Sequence, residues 1–118
     1  MSVVDLRAFV SHNPDGTVEL CLDGDLDARS APLFAEWVKF ALEAGASGVV
    51  VDLGNVAVVD DAGLRSLAAT HADAVRQGGS LQLRSPSKRT VDLLLMRSRR
   101  TDFGIVTMPR WMSQRMTI

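Results

Sequence analysis

The feature that most constrains this chain is Val49-Val50-Val51-Asp52-Leu53, an apolar, β-branched run with an amphipathic helical pattern on either side. A run of this kind suits a central parallel strand buried on both faces. Before it, Leu33, Phe34, Trp37, Val38, Ala41 and Leu42 recur at spacings of three and four, which predicts one helix with a wide apolar stripe. Ser30-Ala31-Pro32 supplies its start, with proline in the first turn where a missing N–H costs nothing, and Gly45 its end. After the strand, Leu64, Leu67, Ala68, His71, Ala72 and Val75 share a helical face, with Gly78-Gly79 as the stop. A strand, a helix and a strand in such order imply a largely parallel sheet with right-handed crossovers.

The remaining segments extend the same scheme. Residues 4, 6, 8 and 10 are apolar in alternation, Asn13-Pro14-Asp15-Gly16 is a run of turn formers, and Val18, Leu20 and Leu22 alternate again. Together they predict an N-terminal antiparallel hairpin. Gly24-Asp25-Leu26-Asp27 breaks the strand pattern, and Gly54 to Val59 reads as a short connection. Leu81 and Leu83 mark another short strand, Ser85-Pro86-Ser87 opens a helix with Val91, Leu94 and Leu95 facing in, and Phe103-Gly104-Ile105-Val106 reads as a last strand. Pro109 to Ile118 reads as a short helix carrying Trp111, Met112 and Met116. The predicted order is β-β-α-β-α-β-α-β-α. The expected fold is α/β, a mixed and mostly parallel sheet of four to five strands with about four helices, in one domain spanning 1–118. The core should include Leu33, Trp37, Ala41, Leu67, Leu94 and Leu95.

Composition narrows the function. With 13 basic and 14 acidic residues the net charge is -1, which excludes a histone-like or strongly polyanionic protein. The balance is uneven: residues 1–83 carry 12 acids against 5 bases, and residues 84–118 carry 8 bases against 2 acids. Such a charge dipole can orient a charged partner during encounter. One cysteine, Cys21, excludes an internal disulfide framework and a cysteine-rich zinc site. No apolar run approaches the ~20 residues of a membrane helix. Met1-Ser2-Val3-Val4-Asp5 lacks a basic n-region and an apolar h-region, so a cytoplasmic protein is expected.

No catalytic constellation emerges. Asp23, Asp25, Asp27, Asp60 and Asp61 follow predicted strands, where binding edges of α/β sheets lie. Such a set can bind Mg²⁺ or act as paired acid and base, but aspartate is also favoured in turns and at helix starts, which is the preferred reading. A phosphorylation receiver domain would need a lysine after the last strand, and the only lysines are Lys39 and Lys88. His12 belongs to a turn and His71 to a helix. Cys21 sits mid-strand, with no histidine near it in sequence to make it a thiolate. There is neither a Gly-x-Ser-x-Gly elbow nor a glycine-rich phosphate loop. The basic run Arg97-Ser98-Arg99-Arg100 lacks the aromatic interleaving of a nucleic-acid surface and suits a helix C-terminus instead. No enzyme activity, cofactor, metal, nucleic acid or membrane insertion is expected.

Several of these pieces together match a family. Gly24-Asp25-Leu26-Asp27, Ala31-Pro32-Leu33, Val49 to Leu53, Val59-Asp60-Asp61-Ala62-Gly63-Leu64, Gly78-Gly79-Ser80-Leu81 and Ser85-Pro86-Ser87 resemble the STAS domain, and within it the bacterial anti-sigma factor antagonists, over roughly residues 3–107. The resemblance implies a protein-binding switch. In such antagonists a motif Asp-Ser-Ser-Gly-Leu carries the phosphoacceptor serine, and the partner is an anti-sigma factor that is also a serine kinase. Phosphorylation of the first serine breaks the complex. Aligned on Gly63-Leu64, Asp60 matches the motif's aspartate, Asp61 stands at the phosphoacceptor position, and Ala62 replaces the second serine. The region before the last strand, often Thr-Gly-Leu in the family, is Ser98-Arg99-Arg100-Thr101-Asp102 here. The implied contact face is Asp25, Leu26 and Asp27 with Asp60, Asp61, Ala62, Gly63 and Leu64, and Asp61 is expected to cap the helix that follows. Two other roles stay open: the small STAS subunit of an ABC lipid-transport complex, which binds its ATPase, and a sensor of small molecules or nucleotides.

Overall fold

The computed structural model describes residues 5–97 and 104–106, with side chains described as far as Leu93. The elements are β1 (Leu6–His12), β2 (Thr17–Leu26), α1 (Ala31–Glu43), β3 (Gly48–Val59), α2 (Asp61–Arg76), β4 (Leu81–Arg84), α3 (Lys88–Arg97) and β5 (Gly104–Val106). One five-stranded sheet runs in the order β1-β2-β3-β4-β5. Among the described residues, only β1 and β2 are antiparallel, and every later pairing is parallel. Three crossovers step in the same direction. Right-handed connections therefore put α1, α2 and α3 on one face, where α1 packs on α2 and α2 on α3.

The hairpin turn forms where Asn13-Pro14-Asp15-Gly16 predicts it. Asp15 Oδ1 accepts the Thr17 hydroxyl at 2.7 Å and the Thr17 N–H at 2.9 Å. The Thr17 hydroxyl, and after it the Thr17 N–H, hold the Asp15 carboxyl below its ordinary pKa. This contribution is present above the usual carboxylate range and fades as pH falls through the lowered value.

The core forms between the sheet and its helices. Val18, Leu20 and Leu22 of β2 meet Val49, Val51 and Leu53 of β3, Leu81 and Leu83 of β4, Phe34 and Val38 of α1, and Leu64 and Leu67 of α2. Val50 and Asp52, which alternate with these, are also buried, so the run 49–53 is buried throughout, as a central strand should be. Asp52 is accommodated because its Oδ1 accepts the Gly54 N–H at 2.8 Å.

Four expectations need correction. The sequence 24–27 does not end β2, which continues to Leu26 with register shifts between Cys21 and Asp23 and between Gly24 and Asp25. The segment 54–59 is not a loop either. It is the second half of β3, held by pairing Asp23↔Asn55, Gly24↔Val56, Asp25↔Val58 and Leu26↔Val59. The buried face of α2 is Gly63, Leu64, Leu67, Thr70 and Ala74, while Ala68, Ala72 and Val75 are exposed. Thr70 can be buried because its hydroxyl donates to the Ser66 carbonyl at 2.6 Å, a local bond invisible to an apolar periodicity. Leu33 is exposed, at the outer margin of the α1 stripe. Trp37 and Ala41 are half-buried against the core and Leu67 is fully buried. The Leu94 and Leu95 side chains, the 98–102 region and the segment 109–118 lie outside the described residues.

Among the described residues, Phe34 is the largest fully enclosed side chain. Phe34→Ala should therefore cost about 3–5 kcal/mol, and Trp37→Ala measurably less. Urea unfolding of both variants checks this, and an unchanged midpoint for Phe34→Ala would contradict the core assignment.

Candidate functional site

Two loops meet at the carboxyl ends of β2 and β3. In the first, Asp27 organises the entry to α1. Its Oδ1 accepts the N–H groups of Arg29 at 3.0 Å and Ser30 at 3.1 Å. The buried Ser30 hydroxyl donates to the Asp25 carbonyl at 2.7 Å and accepts the Asp27 N–H at 3.0 Å. These bonds close the loop on itself and satisfy the backbone groups of residues 25–30 that lead into α1.

In the second, α2 starts directly from β3. Asp60 is the N-cap: its backbone is extended, its Oδ1 accepts the Gly63 N–H at 2.8 Å, and its carbonyl accepts the Leu64 N–H at 2.9 Å. Asp61 is thus not the cap. It is the first helical residue, exposed, with Oδ2 lying 3.6 Å from Arg65 Nε one turn later. A carboxylate there is favourable toward the helix N-terminus by about 0.3–1 kcal/mol, and the exposed ion pair adds little beyond that.

The loops are joined by backbone. The Asp60 N–H donates to the Leu26 carbonyl at 3.2 Å, and Leu26 pairs with Val59. Gly63 rests on the same carbonyl: a Cβ at Gly63 would lie 2.2 Å from Leu26 O. Gly24 allows the upstream bend. Its φ of +124° suits glycine alone, a Cβ there would lie 2.2 Å from Asp5 O, and the Asp25 N–H donates to that oxygen at 2.7 Å.

The predicted contact set is therefore brought together, but its members differ in access. Leu26 and Leu64 are core residues, and Gly63 is buried. Asp25, Asp27, Asp60 and Ala62 are half-buried, and Asp61 is exposed. Sequence reasoning missed Arg65, whose spacing of four from Asp61 on a helix was the available signal. Asp27 and Asp60 serve as turn and cap. Among the described residues, no three His, Cys, Asp or Glu side chains come together as a metal site would require, and no helix is long and apolar enough to cross a membrane.

The comparisons with known proteins follow this geometry. A family model described as Mlab, STAS domain matches residues 10–98. No curated protein sequence matches the chain. Solved structures with a similar fold include the Thermotoga maritima protein TM1081, with a TM-score of 0.75 at 20% identity over 93% of each chain. SpoIIAA of Bacillus, an anti-sigma factor antagonist solved in its unphosphorylated form, gives 0.71 at 14% identity, covering 93% of this chain and 96% of its own. RsbS of Moorella thermoacetica carrying a serine-to-glutamate substitution gives 0.71 at 17% identity, covering 92% and 93%.

The junction makes an unusual prediction. Gly→Ala inside a helix ordinarily stabilises by about 0.8–1 kcal/mol. Gly63→Ala should instead destabilise by roughly 1–3 kcal/mol, because the neighbour is rigid backbone. Asp60→Ala should cost about 0.5–2 kcal/mol, and Asp61→Ala less. Thermal unfolding of the three variants tests this ranking, and a stabilised Gly63→Ala would refute the contact.

Proposed function

The chain belongs to the STAS-domain family, and on that premise we propose that it is a non-enzymatic protein-binding regulator. In this reading it is an anti-sigma factor antagonist, or an antagonist-like adaptor, whose partner is an anti-sigma factor of the serine-kinase type. What supports the reading is the fold together with Asp61, which is exposed at the head of α2. On the motif alignment Asp61 takes the place of the antagonists' phosphoacceptor serine. The fold shared with an anti-sigma factor antagonist supports the same role.

Chemistry at that position differs from the family's switch. A serine there gains about -1.5 to -2 charges and three acceptor oxygens on phosphorylation. Asp61 has one charge and two oxygens on a shorter arm at all times, and a carboxylate does not take phosphate from a serine kinase as a hydroxyl does. Facing a partner shaped for an uncharged serine, that charge would be desolvated without compensation, at a cost of several kcal/mol. We therefore take the partner to present an Arg or Lys to Asp61.

The contact face then consists of the accessible members of the site: Asp25 at the end of β2 and Asp27 after it, Asp61 and Ala62 in the first turn of α2, and the exposed side of α2 that follows. Leu26, Gly63 and Leu64 act beneath that face by fixing its shape. The reaction expected of this surface is association alone, with no bond made or broken.

Affinity purification of the full chain from its native cell tests the proposal. The expected companion is an anti-sigma factor with a GHKL-type kinase fold. Incubated with that partner and ATP, the wild-type chain should stay unmodified, whereas Asp61→Ser should take up phosphate. Recovery of an ABC-transporter ATPase instead would overturn the antagonist reading in favour of a transporter subunit.

A further inference from the structure

We infer that the chain forms a two-fold symmetric dimer by pairing strand β1 with β1 of a second copy. Among the described residues, β1 is an edge of the sheet, with β2 on one side only. Its seven-residue ladder from Leu6↔Gly24 to His12↔Val18 is uninterrupted. Edge strands are commonly blunted by proline, charged side chains, a bulge or a very short length. Residues 6–12 contain no proline and the single charged side chain Arg7, and the pairing has no bulge.

What the edge exposes argues for a strand as its occupant. Phe9 is 61% exposed and Val10 59%. They are consecutive in a strand and so point to opposite faces of the sheet. A docked helix or a small ligand would cover one face and leave the other in water. A strand added edge-on brings side chains beside both. On the helix-bearing face the pairing also closes an apolar groove of about 460 Å³ between β1, β2 and the end of α1, with Val10, Trp37 and the 75% exposed Phe40 in its lining. Groove and exposed rim belong to the same copy, as an isologous interface requires.

The edge is self-complementary in its apolar residues, which suits a second copy of this chain. A two-fold axis normal to the sheet pairs residues whose numbers sum to an even value. With the axis at Phe9, Phe9 meets Phe9, Ala8 meets Val10, Arg7 meets Ser11, Leu6 meets His12 and Asp5 meets Asn13. Charge does not oppose the pairing, since Arg7 and Asp5 both face neutral residues. Aromatic and apolar cross-strand pairs of this kind are favourable, and the two sheets become one of ten strands.

Sedimentation velocity of the full chain across a micromolar-to-millimolar series tests this. The expected result is a concentration-dependent rise toward twice the 12.8 kDa monomer mass. Phe9→Lys and Phe9→Glu, both at an exposed position, should each keep the wild-type circular dichroism and sediment as monomers. Their equimolar mixture should recover the dimer, since Lys and Glu then face each other across the axis. A wild-type chain that stays monomeric throughout, as it would if the edge served only a foreign strand, overturns the inference. So do single variants that still dimerise, or a mixture that does not.

Discussion

The close approach of Gly63 to the Leu26 carbonyl is the contact on which the rest of the site depends. Without a side chain at 63, the first turn of α2 settles onto the end of β2, and the Asp60 N–H reaches the same oxygen. Two loops far apart in sequence thereby become one surface. The α2 axis is fixed at its start by backbone rather than by flexible side chains. Asp61 owes its exposure to this seating, because Asp60 takes the capping role one residue earlier.

Half of this was legible in the sequence, for identifiable reasons. Helix α1 is bounded by Pro32 and by Gly45, both of which act locally, and its limits emerge where they were expected. The run 49–53 needs only hydrophobicity and β-branching to be read as central. The second half of β3 was hidden because Gly54 and Asn55 look like turn formers. They are strand residues only because β2 bends at Gly24 and runs alongside, a tertiary effect that overrides local propensity. The α2 face was misjudged for a related reason. Glycine at 63 and threonine at 70 do not register as apolar, yet one is required by close packing and the other satisfies its hydroxyl within the helix.

The acidic residues illustrate a division that composition alone does not reveal. Asp15, Asp27 and Asp60 direct their carboxylates at N–H groups of their own turns, and Asp52 does the same inside the sheet. These are structural acids. Asp61 instead lies exposed at the start of α2 with Arg65 as its ion-pair partner, as Asp73 does with Arg76 farther along the same helix. Under the proposed reading, Asp61 would present a fixed charge where the antagonist motif carries a serine. A permanent charge on a rigid helix start is suited to a partner that bears its complement.

The most direct measurement of that claim is the affinity of the recovered partner for wild type and for Asp61→Ala, by titration calorimetry under the same buffer and salt. The account predicts that wild type binds more tightly, by about ten- to several-hundred-fold, the range for removing one member of a close interfacial charge pair. An Asp61→Ala variant that binds as tightly as wild type, or more so, would contradict it.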